Sequence, residues 1–126
     1  PCRRCEDACP TGAIVAPGVV DGRRCLSWTL QTTGSFPRDQ PVALGDRIYG
    51  CDDCQEVCPV TVRLGHRVPG TPHTPPKAWV GVLALLRADD EGVMTEWGRW
   101  YLADRDPRWV RRNGLVIPAQ EFLGSP

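Results

Sequence analysis

Two copies of one cysteine spacing constrain this chain more than any other feature. The first copy runs from Cys2 to Pro10 and the second from Cys51 to Pro59, and both read C-x2-C-x3-C-P. Thirteen glycines and thirteen prolines in 126 residues predict abundant loops, in a chain long enough for one modest core. We therefore expect the thiols, with whatever they bind, to hold these loops in place.

Four roles compete for the seven cysteines. An odd count without a recognisable secretory signal argues against a disulfide framework. Two C-x2-C pairs suit a structural zinc site, but zinc leaves Cys9 and Cys58, each followed by proline, without a role. Scattered buried thiols would not produce a doubled spacing. The spacing instead favours iron–sulfur clusters, because it ends the ligand run of two-cluster ferredoxins, whose last cysteine binds the other cluster.

Because the last cysteine of each run binds the cluster of the other run, the spacing predicts two ligand sets. The full ferredoxin run is C-x2-C-x2-C-x3-C-P. In the second copy, Ile48 occupies the position of its first cysteine, so Cys25 must supply the fourth ligand. In the first copy, the missing cysteine would lie two positions before Pro1. A three-iron cluster with three cysteines is the alternative there. The predicted ligands are Cys2, Cys5 and Cys58 with one upstream cysteine for cluster 1, and Cys9, Cys25, Cys51 and Cys54 for cluster 2.

The remaining sequence predicts a mainly α fold with a small β-hairpin, of the α+β class. Ile14-Val15 and Val19-Val20 flank the turn signal Ala16-Pro17-Gly18 and predict the hairpin. Apolar periodicity and capping residues predict helices over 21–30, part of 41–49, 77–87, 95–103 and 106–117. The predicted organisation is a ferredoxin-like double [4Fe–4S] domain over 1–62, a Pro-rich linker over 63–76 and a helical segment over 77–126.

Charge and hydropathy exclude several function classes. The formal net charge is zero, so no global field favours nucleic acid or membranes. No apolar run approaches the ~18 residues of a membrane span, and we expect a cytoplasmic protein without membrane contact. The only methionine is Met94 and the chain opens inside a motif, which we interpret as a fragment of a longer protein. No acid–base or nucleophilic constellation is present, so we expect no catalytic residue within it.

Three stretches carry a resemblance to a known family. The run C-x2-C-x3-C-P-T-G-A-I, the segment around Cys25 and the stretch GDRIYGCDDCQEVCP together resemble the iron–sulfur half of epoxyqueuosine reductases. These oxidoreductases use cobalamin in the last step of queuosine synthesis on tRNA. The resemblance implies that two clusters pass single electrons to cobalamin, which is bound mainly by an upstream domain. It further implies a ferredoxin or flavodoxin as electron donor and a monomeric enzyme.

The resemblance also implies contacts with cobalamin. By position, Ser27, Cys51 and Asp52 lie beside the cluster 2 ligands that approach the corrin in the family. The Ser27 hydroxyl could equally bond within its own helix, and Asp52 could be a turn residue.

The C-terminal part resembles a HEAT-type helix at D-P-x-x-V-R, residues 106–111. In the family such helices help to hold the tRNA anticodon stem-loop. A local basic cluster could contact phosphates; alternatively, it is a solvated face with salt bridges to Asp104 and Asp106. Gly114 and Pro118 depart from the repeat pattern. The implied tRNA-binding residues are Arg105, Arg108, Arg111 and Arg112.

Aromatic and histidine side chains have two possible roles each. Trp97, Trp100, Tyr101 and Trp109 could stack on bases, although aromatics at helical spacing more often belong to a core. His66 and His73 are expected to be solvated rather than metal ligands. Three other functions compete with the reductase: a reductive-dehalogenase relative, a plain two-cluster electron carrier or interaction module, and a structural zinc module.

Overall fold

The computed structural model of the protein describes residues 2–67 and 79–123. The predicted class is confirmed, because helices dominate and a single two-stranded sheet is present among these residues. None of their helices has both the length and the apolarity of a membrane span. The elements in chain order are α1 (Arg4–Asp7), β1 (Ile14–Ala16), β2 (Val19–Val20), α2 (Leu26–Gln31), α3 (Pro41–Leu44), α4 (Asp53–Glu56), α5 (Pro59–Arg67), α6 (Val82–Arg87), α7 (Asp90–Trp97), a 3-10 helix (Ala103–Arg105) and α8 (Arg108–Leu123).

The two cysteine runs fold into nearly identical turns. The residue before α1, Arg3, has φ −126° and ψ 13°, and its counterpart before α4, Asp52, has φ −115° and ψ 10°. The residues after these helices, Ala8 and Val57, share a φ of −86° with ψ values of −9° and −8°. The repeated sequence therefore gives a repeated backbone, and α1 packs against α4.

The predicted hairpin is confirmed. β1 and β2 are antiparallel, with Ile14 opposite Val20 and Ala16 opposite Val19. Gly18 has a φ of +75°, the left-handed conformation that glycine adopts without a steric penalty. The Asp21 N–H donates to the Ala13 carbonyl at 2.8 Å, which leads the chain from the hairpin toward Cys25.

The predicted helix over 21–30 is too long at its start. Asp21 Oδ1 accepts a hydrogen bond from the Arg23 N–H at 3.0 Å, and such an Asp-centred turn competes with a helix. Cys25 then has extended φ and ψ values and occupies the N-cap position of α2. The fourth ligand predicted for cluster 2 thus lies at the start of a helix, not within it.

The linker prediction over 63–76 is wrong at its beginning. The chain continues from the second cysteine run directly into α5, so 63–67 are helical. Pro59 stands at the first helical position, where the missing N–H of proline costs no hydrogen bond. The rest of the predicted linker lies outside the described residues.

The C-terminal helices differ from prediction in their bounds. The helix predicted over 77–87 begins only at Val82, with 77–78 outside the described residues. The helix predicted over 95–103 is instead Asp90–Trp97, because Asp89 caps it by accepting the Gly92 N–H at 2.8 Å.

The last helix, predicted over 106–117, continues past its expected end. α8 runs to Leu123, so Pro118 lies inside the helix. A proline there removes a single backbone hydrogen bond. Packing of α8 against α2, α3 and α6 supports the helix on several sides.

Two hydrophobic clusters meet at α8. One contains Leu26, Leu30 and Leu44 with Cys51 against it, and the other contains Ile48 with five residues of the C-terminal part. Ile117 contacts both clusters. Ile48 is only 7% exposed, so the side chain that replaces a cysteine is an anchor for the helical segment. The five partners of Ile48 are Leu85, Val93, Trp97, Leu102 and Val110.

Candidate metal centre

Four thiols in the structure are electrostatically linked. Negative charge on Cys9 and on Cys25 raises the pKa of Cys54, and negative charge on Cys25 also raises the pKa of Cys51. These four are the ligands predicted for cluster 2, although they come from three separate stretches of chain. The fold therefore places Cys54 within electrostatic range of Cys9 and Cys25, and Cys51 within range of Cys25, while the ligand set itself stays a prediction.

Backbone amides surround the Cys9 sulfur. The Ala13 N–H donates to Sγ at 3.2 Å, and the Thr11 hydroxyl lies 3.8 Å from it. Burial tends to raise the pKa of Cys9, but hydrogen bonds from Thr11, Ala13 and Ile14 outweigh it, and the pKa lies below its usual value. A turn that donates N–H groups to sulfur favours the thiolate form, which is the form that binds metal.

The Cys51 and Cys54 thiols lie in a less polar environment. Burial is the largest cause that raises the pKa of each thiol above its usual value. Proximity to the other thiols acts in the same direction on both. Such thiols are unfavourable as isolated anions, and they gain most from a bound cation that neutralises their shared charge.

The cluster 1 candidates lie toward solvent. Cys2 is exposed, and Cys5 and Cys58 are partly exposed. Hydrogen bonds from the Thr61 N–H and hydroxyl are the main causes that lower the pKa of Cys58. These donors belong to the first turn of α5, so the helix that follows Pro59 supports the thiolate of the crossing cysteine.

The donor set fits iron–sulfur clusters. All seven cysteines are free thiols. Within 2–67 and 79–123, no group of three or more His, Cys, Asp or Glu side chains is arranged to hold a single metal ion. A cubane does not require such convergence on one point, because each thiolate binds a different iron. An iron–sulfur cluster needs closely spaced thiolates and hydrogen-bond donors to sulfur. The duplicated turns, the amide donors at Cys9 and the linked charges of four thiols supply them.

Arg47 is a site residue that the sequence did not single out. Its Nη2 donates to both carboxylate oxygens of Asp53, at 2.7 and 2.9 Å, and its Nη1 donates to the Leu44 carbonyl at 3.1 Å. The positive charge of the guanidinium also tends to lower the pKa of Cys51, which favours its thiolate form. The only sequence signal was a lone arginine four residues before a ligand.

The residues predicted to approach cobalamin adjoin the cluster 2 ligands. Ser27 Oγ accepts from Gln31 Nε2 at 3.1 Å, a contact within α2. Asp52 is exposed and precedes α4 without capping it through its side chain. Beside Ser27, Trp28 is 58% exposed and offers an apolar surface next to Cys25.

Two of the four candidate tRNA-binding arginines are exposed. Arg105 donates to the Gly98 carbonyl at 2.7 Å. Arg108 forms an ion pair with Asp106 at 2.5 Å, as the alternative of a salt-bridged face predicts. The other two are partly buried: Arg111 pairs with Asp90, and Arg112 donates to carbonyls of the cysteine-rich part.

The aromatic residues divide between core and surface. Trp97 is buried in the helical core, and Trp100 stacks on Tyr49. Tyr101 is exposed. The guanidinium groups of Arg108 and Arg112 lie over the Trp109 ring at 5.4 and 5.6 Å from its centroid. Of the two histidines, His66 lies in α5 and His73 lies outside the described residues.

Comparison with known proteins agrees with this geometry. Residues 1–61 match a family described as a 4Fe-4S double cluster binding domain. An epoxyqueuosine reductase of Burkholderia pseudomallei is 59% identical over 59 residues, which are 46% of this chain and 14% of that protein. An epoxyqueuosine reductase of Bacillus subtilis is 51% identical over 119 residues, which are 94% of this chain and 31% of that protein.

The similarity extends to solved structures. The crystal structure of an epoxyqueuosine reductase with an epoxyqueuosine-modified tRNA-Tyr stem loop superposes with a TM-score of 0.77 at 31% identity. The match covers 94% of this chain and 32% of that one. The chain thus spans about a third or less of the length of these relatives, and both its cysteine-rich and helical parts are matched.

Proposed function

Because the chain belongs to the epoxyqueuosine reductase family, we propose that it is the iron–sulfur electron relay of such an enzyme. The reaction served is the reduction of epoxyqueuosine to queuosine in tRNA. The observation that carries the proposal is the pair of nearly identical cysteine turns, whose helices α1 and α4 pack together, in a fold shared with the family. In the enzyme, bound clusters would supply single electrons and cobalamin, held mainly upstream of this chain, would supply the reduced cobalt that removes the epoxide oxygen.

The chain's own residues determine where each cluster is held. Cys9, Cys25, Cys51 and Cys54 hold cluster 2. Cys2, Cys5 and Cys58, with a cysteine upstream, hold cluster 1. The Ala13 and Thr11 donors stabilise negative charge at Cys9, and Arg47 does so near Cys51. All seven of these cysteines lie within the proposed domain over 1–62.

Cluster 2 is the proposed exit toward cobalamin. Ser27, Cys51 and Asp52 adjoin its ligands, and the exposed Trp28 indole supplies apolar area of the kind that a flat macrocycle contacts. Cluster 1, with the exposed Cys2, is then the side that receives electrons from a ferredoxin or flavodoxin. We also propose that the enzyme is monomeric and cytoplasmic.

The helical segment is the proposed tRNA-facing part. The similarity to a relative solved with a tRNA stem loop supports this role. Arg105 and Arg108 are the exposed members of the arginine group and are suited to phosphate contacts. Arg111 and Arg112 would act mainly by holding the segment in place, since both are partly buried and bind other parts of the chain.

Selective removal of one cluster tests the relay. In the full-length protein reconstituted anaerobically, Cys25→Ser is expected to reduce the iron content from about eight to about four atoms per chain. Cobalamin should still bind, but its reduction by the reduced protein should be lost. Cys5→Ser serves as the matched variant, because it affects the other cluster. Unchanged iron content in Cys25→Ser, or unchanged cobalamin reduction in both variants, would contradict the proposal.

A further inference from the structure

Two neighbouring side chains of α8 bind the segments that carry the cluster 2 ligands. We propose that Arg112 and Asn113 are positioning residues for cluster 2, which they act on by holding Cys25 and Cys51 at a fixed separation. The inference rests on the proposed ligand set of that cluster, and it gives the helical segment a role in electron transfer independent of tRNA.

Asn113 bridges the two segments directly. Its side chain is completely buried, and Nδ2 donates to the Leu30 carbonyl at 2.9 Å and to the Ile48 carbonyl at 3.0 Å. Its Oδ1 accepts from Arg112 Nε at 3.1 Å. The amide orientation is fixed, because the opposite one would place Oδ1 against two carbonyl oxygens. Every polar atom of this buried side chain therefore has a partner.

Arg112 binds the end of α2 and the loop that follows it. Nη2 donates to the Thr29 carbonyl at 2.7 Å, and Nη1 donates to the Thr32 and Gly34 carbonyls at 3.0 and 2.8 Å. Burial lowers the pKa of its guanidinium, which remains protonated. A cation beside these carbonyls is favourable, because the last carbonyls of a helix lack partners within the helix.

Short α2 depends on this support. It has six residues and is about 9 Å long, well below the length at which a helix is stable alone in water. Cys25 is its N-cap residue, while Arg112 and Asn113 bind carbonyls of its last turn. Fixing the end of α2 therefore fixes the direction from which the Cys25 thiol reaches the cluster.

The second attachment lies close to the other ligands. The Ile48 carbonyl that accepts from Asn113 is three residues before Cys51. One buried amide thus connects the chain that delivers Cys25 with the chain that delivers Cys51. Among the described residues, the hydrogen bonds of Arg112 and Asn113 to other parts of the chain end on 29–34 and on Ile48. The direct effect should consequently fall on cluster 2 rather than on cluster 1.

The test is cluster-specific spectroscopy on the full-length protein. Asn113→Ala is expected to lose about four of about eight iron atoms, and the remaining electron paramagnetic resonance signal should match that of Cys54→Ala and not that of Cys5→Ala. Leu115→Ala, at an exposed position of the same helix, is the matched control and should retain both signals. Retention of both clusters with unchanged potentials in Asn113→Ala, or equal loss of both in a variant that still folds, overturns the proposal.

A second variant covers the case in which Asn113→Ala does not fold. Arg112→Lys keeps the positive charge but lacks the fork that reaches three carbonyls, and it should shift the potential of cluster 2 alone. An unshifted cluster 2 potential, or an equal shift of both potentials, also overturns the proposal. Failure of the proposed ligand set is distinguishable, because Cys25→Ser would then leave both signals intact whatever the result at Asn113.

Discussion

The ring of Tyr49 lies parallel to the indole of Trp100, with centroids 4.9 Å apart and an angle of 7° between their planes. The Tyr49 hydroxyl also accepts a hydrogen bond from the Tyr101 N–H at 2.9 Å. Tyr49 stands two residues before Cys51, whereas the other two belong to the helical segment. An aromatic stack thus joins the second cysteine run to the chain between α7 and α8.

This contact predicts a graded response to substitution. Tyr49→Phe keeps the stack but removes the acceptor, and should lower the free energy of unfolding by about 0.5–1.5 kcal/mol. Tyr49→Leu should cost about 0.5–1.5 kcal/mol more, because it also removes the aromatic pair. Anaerobic denaturant unfolding of the reconstituted protein measures both. Equal stability of the Tyr49→Phe and Tyr49→Leu variants would contradict a contribution from stacking.

The charge at Arg47 should set the potential of cluster 2. Arg47→Gln removes a positive charge and leaves Asp53 unpaired, so adding an electron becomes less favourable and the reduction potential should become more negative. Asp53→Asn should shift it in the opposite direction, and the double variant should lie close to the wild type. Redox titration followed by electron paramagnetic resonance gives the values. A positive shift in Arg47→Gln is the contrary outcome.

Gly50 should be sensitive to any side chain although it has space for one. A Cβ built there meets nothing within 4 Å, but the backbone has a φ of +77° immediately before Cys51. Gly50→Ala should therefore cost about 1–2 kcal/mol through backbone conformation alone. Gly22→Ala is the matched control, since a Cβ at Gly22 also meets nothing within 4 Å and its φ lies outside the left-handed range. Equal unfolding free energies for the two variants would contradict this reasoning.

Gly114 allows α8 to approach α6 closely. A Cβ at this position would lie 3.0 Å from Leu85 Cδ2, and Leu85 is fully buried. Gly114→Ala should be destabilising by about 1–3 kcal/mol because it overpacks this contact. In a Leu85→Val background, which creates room, the same change should become stabilising through the better helix propensity of alanine. A double-mutant cycle measures the coupling, and additive effects would rule out the contact as the cause.

Local features of the fold were predictable because their determinants are local. The repeated cysteine spacing folds into two nearly identical turns, and Pro17-Gly18 predicted the hairpin between Ile14 and Val20. The start of α5 was missed for a physical reason as well: proline ends one helix and begins the next, and the sequence around Pro59 permits both interpretations.

The long-range features left no such signal. The contacts of Asn113 with Leu30 and Ile48 span most of the chain, and an asparagine that directly follows two arginines looks like a surface residue. Arg112 likewise was predicted as part of a basic tRNA-binding group, but its hydrogen bonds go to carbonyls of the cluster-bearing part. Which polar and ionisable residues are buried depends on tertiary packing that periodicity does not contain.

The isoleucine at position 48 meets two requirements at once. Once the side chain at this position packs with Leu85 and Val110, a change to cysteine would weaken the core that joins the two parts of the chain. It would also add a thiol to a site for which Cys25 is the proposed fourth ligand. Packing of the helical segment and the proposed ligand set therefore favour the same apolar residue at position 48.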